Sequence, residues 1–278
     1  MYRQKIGLLV LLVAVAISAA AQIDTDRPAF TNTVGIVPHK TVQLEVGMEY
    51  FNQKNNITPV IIPTTPYTIR LEEVTLPFGI LRFGLSAQTE FRFELPVASS
   101  IRGSFYNDST SKFVIQPWNR ELGIGLKHKL IDNEKFKLSN LVTLRSQRDY
   151  FVSSERDATF NLSNDVLWQY NSSERSKFAG TLGFANGKDA YSLNGAVLVG
   201  RTFGDHLWIQ TELVRQFAFL ENRKSTFRST TFNLSSQYTL SNQDAIDATV
   251  GTIPFSNGLR SSNLVIQIGY AHLFKSKS

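Results

Sequence analysis

From Glu90 to Leu95 the chain alternates strictly between charged and apolar residues, and that alternation limits what such a chain can fold into. An extended strand sends successive side chains to opposite faces. Phe91, Phe93 and Leu95 therefore share one face, and Glu90, Arg92 and Glu94 the other. A helix would scatter both sets around its circumference. Two architectures accept such a strand: a half-buried sheet of a soluble sandwich, and the wall of a transmembrane barrel with an apolar outside and a polar lumen.

The pattern recurs along the chain. Val42, Leu44, Val46, Met48 and Tyr50 alternate with Gln43, Glu45, Gly47 and Glu49, and Leu122, Ile124 and Leu126 alternate with Glu121, Gly123, Gly125, Lys127 and Lys129. Phe160 to Tyr170 and Leu264 to Phe274 repeat it. A strand from about Tyr67 to Phe83, carrying Arg70, slips in phase near Glu72-Glu73 and Pro77, where a bulge or break is expected. Further strands are expected at 136–147, 177–185, 191–203, 207–217, 226–240 and 245–253. The spacing therefore predicts about twelve strands, an even number, each near the length of a tilted membrane strand.

Connection lengths and aromatic positions favour the barrel over the sandwich. Short polar turns are expected at 132–135, 171–174, 204–206 and 241–244, and longer loops at 52–66, 99–119 and 148–157. Phe136, Trp168, Tyr170, Phe203, Trp208, Tyr238, Tyr270 and Phe274 cluster toward the short turns, as an interfacial belt would. The fold class expected is all-β: a transmembrane up-and-down antiparallel β-barrel of about 12 strands, spanning 42–274 and followed by a tail at 275–278. Its short turns would face the periplasm.

The first 21 residues carry Arg3 and Lys5, an apolar run from Ile6 to Ile17, and Ala19-Ala20-Ala21 before Gln22. This is the layout of a secretory signal peptide, too short for a comfortable membrane helix, although an uncleaved anchor has the same polarity. Its removal lowers the formal net charge of +6 by two, and no basic run suggests nucleic acid. The chain has no cysteine, which excludes disulfides, thiolate metal sites and thiol catalysis. These features point to the outer membrane of a gram-negative bacterium, with its lipid and the barrel-assembly machinery as partners. They leave the oligomeric state undetermined.

No enzyme constellation is present. His39, His128, His206 and His272 have neither metal-ligand spacing nor an evident catalytic partner, and phosphate-loop and nucleophile-elbow motifs are missing. No metal or cofactor is expected. The lumen-lining candidates are Glu45, Glu49, Arg70, Glu90, Arg92, Glu94, Glu121, Lys127 and Lys129, a set of mixed sign. Such a set either pairs internally or forms a polar path that selects solutes by size and charge. The segment 22–41 precedes the first strand. Its Asp24, Asp26 and Arg27 are candidates for a plug pairing with Lys127, Lys129 or Glu45; a loose polar tail is the alternative.

Asp24-Thr25-Asp26-Arg27-Pro28, Leu44-Glu45-Val46-Gly47, the run from Leu81 to Pro96 and Gly123-Ile124-Gly125-Leu126-Lys127 together resemble the outer-membrane family named after the meta-cleavage pathway of phenol degradation. The resemblance covers the N-terminal half. It implies a barrel with a transport role for small, often hydrophobic or aromatic compounds and supplies no binding residues. The expected function is a channel or facilitator for passive uptake of small solutes. A closed anchoring barrel is the alternative, and a hydrolase at the rim is disfavoured.

Overall fold

The computed structural model describes residues 25–26, 32–57, 67–95, 98–106, 111–115, 122–148, 158–187, 190–220, 225–256, 259–260 and 262–275. Its strands are β1 (Thr41–Ile57), β2 (Tyr67–Gly84), β3 (Thr89–Leu95), β4 (Ala98–Tyr106), β5 (Ser111–Ile115), β6 (Leu122–Asp132), β7 (Phe136–Arg148) and β8 (Ala158–Ser173). They continue as β9 (Ser176–Asn186), β10 (Ala190–Phe203), β11 (Leu207–Leu220), β12 (Ser225–Thr239), β13 (Asp244–Ser256), β14 (Leu259–Arg260) and β15 (Ser262–Lys275). All pairings are antiparallel, and β1 pairs with both β2 and β15, which closes the sheet.

Twelve staves form the closed barrel, because four of the strands are halves of interrupted staves. β3 pairs with the last part of β2 and β4 with its first part, while β6 pairs with β3 and β5 with β4. β14 only extends the edge beside β13. The strand count expected from the alternation is therefore met. β1 begins and β15 ends one residue outside the expected span.

Two of the expected loops are partly strand. β1 continues to Ile57, and much of 99–119 is β4 and β5. The reason is hydrogen bonding: β2 runs for 18 residues, and its first half needs a backbone partner that β3 is too short to supply. The expected irregularity near Pro77 is a bulge, where the register with β1 shifts between Gly47 and Glu49 opposite Thr75 and Phe78.

The short turns gather at one end. In the β6–β7 turn Asn133 Oδ1 accepts hydrogen bonds from the backbone N–H groups of Lys135 (3.2 Å) and Phe136 (2.7 Å), a local substitute for ladder bonds. The β10–β11 turn places Gly204 at φ 61°, a conformation glycine adopts without Cβ strain. These turns mark the short-turn end of the barrel.

Polarity is inverted relative to a soluble fold. Leu122, Ile124 and Leu126 are exposed while Gly123, Gly125 and Lys127 are buried. Leu182, Phe184, Val197, Leu213, Phe232, Leu234 and Val250 are likewise exposed, and Thr181, Asn233, Ser235 and Thr249 are buried. Only a surrounding apolar phase makes that arrangement favourable. Trp208 departs from the expected aromatic belt. It turns inward, where Nε1 donates to Gln210 Oε1 at 2.8 Å, and its ring lies over Gly200, which has no Cβ to obstruct it.

Leu182, near the middle of β9, is 67 % exposed on the outer face. Leu182→Arg is expected to destabilise the protein folded in lipid by about 2–4 kcal/mol if it lies at the bilayer midplane. Urea titration in liposomes measures this, with Leu182→Ala as the size control. Equal stability of the two variants would place this face outside the hydrocarbon.

Candidate functional site: the lumen and its N-terminal segment

The chain passes through the interior of the barrel before it joins the wall. Thr25 Oγ1 donates to Gln237 Oε1 on β12 at 2.9 Å, and Ser139 Oγ on β7 donates to the Val34 carbonyl at 2.7 Å. At Pro38 the chain reverses: the Thr41 N–H donates to the Pro38 carbonyl at 3.1 Å, and Lys40 adopts φ 61°. The Lys40 N–H then donates to the Gly84 carbonyl at 2.9 Å. The approach to β2 is close enough that a Cβ on Gly84 would lie 2.0 Å from the Pro38 carbonyl oxygen, so glycine is needed there.

Asp26 is the centre of a buried charge cluster. Its carboxylate lies 3.1 Å from Lys127 Nζ and 3.5 Å from Arg82 Nε, and it also pairs with Arg92 Nη2. Arg82 makes a two-pronged contact with Glu90, Nε to Oε1 at 2.9 Å and Nη2 to Oε2 at 2.8 Å, and its Nη1 reaches Glu45 Oε1 at 2.8 Å. Arg92 Nε donates to Glu90 Oε1 at 2.7 Å. Among the described residues, three carboxylates face three cations, and every one of the six is at most 4 % exposed. Formal neutrality and paired forks are what allow such charges to leave water.

The backbone of the inner segment completes the cluster. The Asp26 N–H donates to the Glu45 carboxylate, the Val37 N–H donates to Glu90 Oε2 at 2.8 Å, and the Gly35 carbonyl accepts from Lys127 Nζ at 2.8 Å. Thr33 donates its N–H and hydroxyl to Asp26 Oδ1, both at 2.8 Å. Two apolar side chains fill matching gaps in the wall. Val34 packs with Leu141 and Leu167, and Val37 with Ala245, Ala271 and Leu273. These wall residues occupy inward positions where the alternation calls for polar groups. The inner segment accounts for the exception.

Farther from the short-turn end the wall carries separate polar pairs. Arg145 forks onto Glu94 at 2.6 and 2.8 Å, Gln267 donates to Glu49, and Asn233 Nδ2 donates to Glu212 Oε2 at 3.0 Å. A Cβ on Gly123 would lie 2.4 Å from Glu94 Oε2, so the bare backbone there lets the Glu94 side chain lie against the wall.

Of the residues singled out in the sequence, Glu45, Glu90, Arg92, Lys127 and Asp26 meet in the cluster, and Glu94 and Glu49 lie deeper in the lumen. Lys129 does not join them: one turn of the pleat nearer the rim than Lys127, it pairs with Asp132 at 2.5 Å. Asp24, Arg27 and Glu121 lie outside the described residues, as does the side chain of Arg70. The residue missed was Arg82, which contacts all three carboxylates. Its signal was present, since Leu81, Arg82 and Phe83 show the same alternation as Phe91, Arg92 and Phe93.

A cavity of about 950 Å³ opens at the short-turn end, among the β6–β7, β8–β9 and β10–β11 turns. Its lining includes Lys135, Lys137, Gln169, Lys177, Thr202 and Trp208, and Lys177 Nζ stands 4.4 Å from the centroid of the Trp208 ring.

Two solved structures resemble the whole barrel. An outer-membrane channel from Pseudomonas putida superposes with a TM-score of 0.61 at 9 % identity, covering 89 % of this chain and 99 % of that one. The translocator domain of the autotransporter NalP from Neisseria meningitidis gives a TM-score of 0.52 at 8 % identity, covering 98 % of this chain and 96 % of that one. At such low identity the likeness shows a shared fold. No protein-family model and no curated protein matches the chain.

Arg82→Met leaves the buried carboxylates in excess and is expected to cost about 3–5 kcal/mol. Arg82→Met combined with Glu90→Gln restores formal neutrality and should recover part of that loss. Unfolding of the three proteins in detergent or lipid measures both effects. Strictly additive losses would show that the charges do not act as one cluster.

Proposed function

We propose that this protein is an outer-membrane channel or facilitator for passive movement of small solutes, with the inner segment that holds Thr25, Asp26 and residues 32–38 acting as an internal plug. The observation that carries the reading is the closed barrel's polar inner wall, combined with a chain segment held inside it by a neutral charge cluster. An interior meant only to be filled would favour apolar packing, since buried ion pairs contribute little stability over hydrophobic replacements. Charged and hydroxyl-bearing walls instead suit a path for solutes that have shed part of their water. A twelve-stave barrel is wider than eight-stranded barrels, whose side chains fill the bore, and narrower than open sixteen-stranded porins. A partly plugged lumen fits that size.

The solutes are small and include compounds with apolar or aromatic bodies, in keeping with the resemblance to the phenol meta-cleavage family and with the channel description of the Pseudomonas putida neighbour. The short-turn end faces the periplasm, as turn length suggests. A second reading, an anchoring barrel with a closed lumen, draws on the same cluster, because six buried charges also make a firm seal.

Conductance in planar bilayers separates the two. The channel reading expects small, resolvable steps from the intact protein and larger ones after deletion of residues 22–30. Silence from both proteins would favour the anchoring barrel. Orientation is tested independently, because the native chain has no cysteine. A cysteine replacing Asn133 should resist a membrane-impermeant thiol reagent on intact cells and react after lysis.

A further inference from the structure

We infer that two copies of this barrel associate within the bilayer through the outer faces of β7 and β8, with Asn140 and Asn164 at the centre of the contact. The inference rests on the barrel being embedded in a membrane and is independent of whether its lumen conducts.

The outward positions of these two strands break the apolar pattern at matching places. Along β8, Leu162 and Val166 flank Asn164; along β7, Leu138 and Val142 flank Asn140. The register sets Asn164 opposite Val142 and Asn140 opposite Val166, so the two asparagines are diagonal neighbours on one face. Leu162, Val166, Val142 and Asn164 are all exposed there.

Their depth is fixed by the rings at the two ends of β8. Phe160 and Tyr170 are both exposed on the outer face, 62 % and 45 %. The strand between them spans about 34 Å, or about 25 Å across the membrane at a tilt near 45°, which is the height of the apolar band of an outer-membrane barrel. Asn164 and the level of Asn140 fall on either side of the midpoint of that stretch. The carboxamides therefore lie in the hydrocarbon, away from headgroups and water.

A carboxamide offers two N–H donors and an oxygen with two lone pairs. Asn140 Nδ2 donates to Asn164 Oδ1 at 2.5 Å and to the Asp165 carbonyl at 3.4 Å. Asn164 Nδ2 and Asn140 Oδ1 have no partner among the described residues. An acyl chain supplies neither donor nor acceptor, so a lone barrel leaves both groups unsatisfied.

A second copy of the chain answers this need. Copies inserted by the same route share orientation and depth, so a two-fold axis along the membrane normal brings the pair against its own image. Asn164 Nδ2 of each copy then meets Asn140 Oδ1 of the other, and both bonds form at once. The patch carries no charge, so setting it against itself incurs no repulsion, and the flanking leucines and valines pack around it.

The test uses the whole protein folded into liposomes. Val142→Cys should give a disulfide-linked dimer on mild oxidation, while Val250→Cys, outward on β13 at the opposite side of the barrel, should not. Asn140→Leu combined with Asn164→Leu makes the outer face more apolar and keeps the barrel foldable. It should raise the dissociation constant of the dimer about tenfold, read by energy transfer between copies labelled at Glu134→Cys and diluted with lipid. Equal association of the double variant, or equal cross-linking through Val250→Cys and Val142→Cys, would overturn the contact. A protein that stays monomeric at every protein-to-lipid ratio would overturn self-association and leave the pair to a different membrane protein.

Discussion

Backbone hydrogen bonding in hydrocarbon tolerates no open sheet edge, and the whole structure depends on how that requirement is met. β1 pairs with β15 on one side and β2 on the other, so the last strand returns to the first and no ladder is left exposed. Closure creates an inside and an outside from a wall one residue thick. Each strand then has to serve two phases at once, and strict alternation follows. Residues such as Leu182 and Leu234 take the outer face, and Thr181 and Asn233 the inner.

An enclosed polar interior poses its own problem, because charges there lose water. Near the short-turn end the wall brings Arg82, Arg92 and Lys127 close to Glu45 and Glu90, one positive charge in excess among the described residues. Asp26, delivered by the inner segment, restores neutrality. The segment also satisfies the wall in a second way, since Val34 and Val37 cover inward apolar residues that would otherwise face water. Charge pairing and apolar burial thus hold the same stretch of chain in the same place, and the tight turn at Pro38 to Thr41, made possible by Gly84, connects it to β1.

Strand positions were legible in the sequence because alternation is a local property: Phe91 and Arg92 face opposite ways whatever the rest of the chain does. The bulge at Pro77 was legible for the same reason, since proline lacks the donor that a ladder needs. Other features depended on partners distant in sequence. Ala98 to Tyr106 lacks clean alternation and becomes a strand because the long β2 needs a partner there, and Trp208 turns inward because Gly200 on the neighbouring strand leaves room for its ring. Arg82 carried the alternation signal, but its contact with three carboxylates drawn from 26, 45 and 90 depends on the register of β2 with β1 and β3 and on where the inner segment places Asp26. The sequence by itself determined the periodicity of the wall and the even number of staves. Only the tertiary structure decided which inward charges meet and where Thr25, Asp26 and residues 32–38 lie, because those depend on register and closure, which no local pattern encodes.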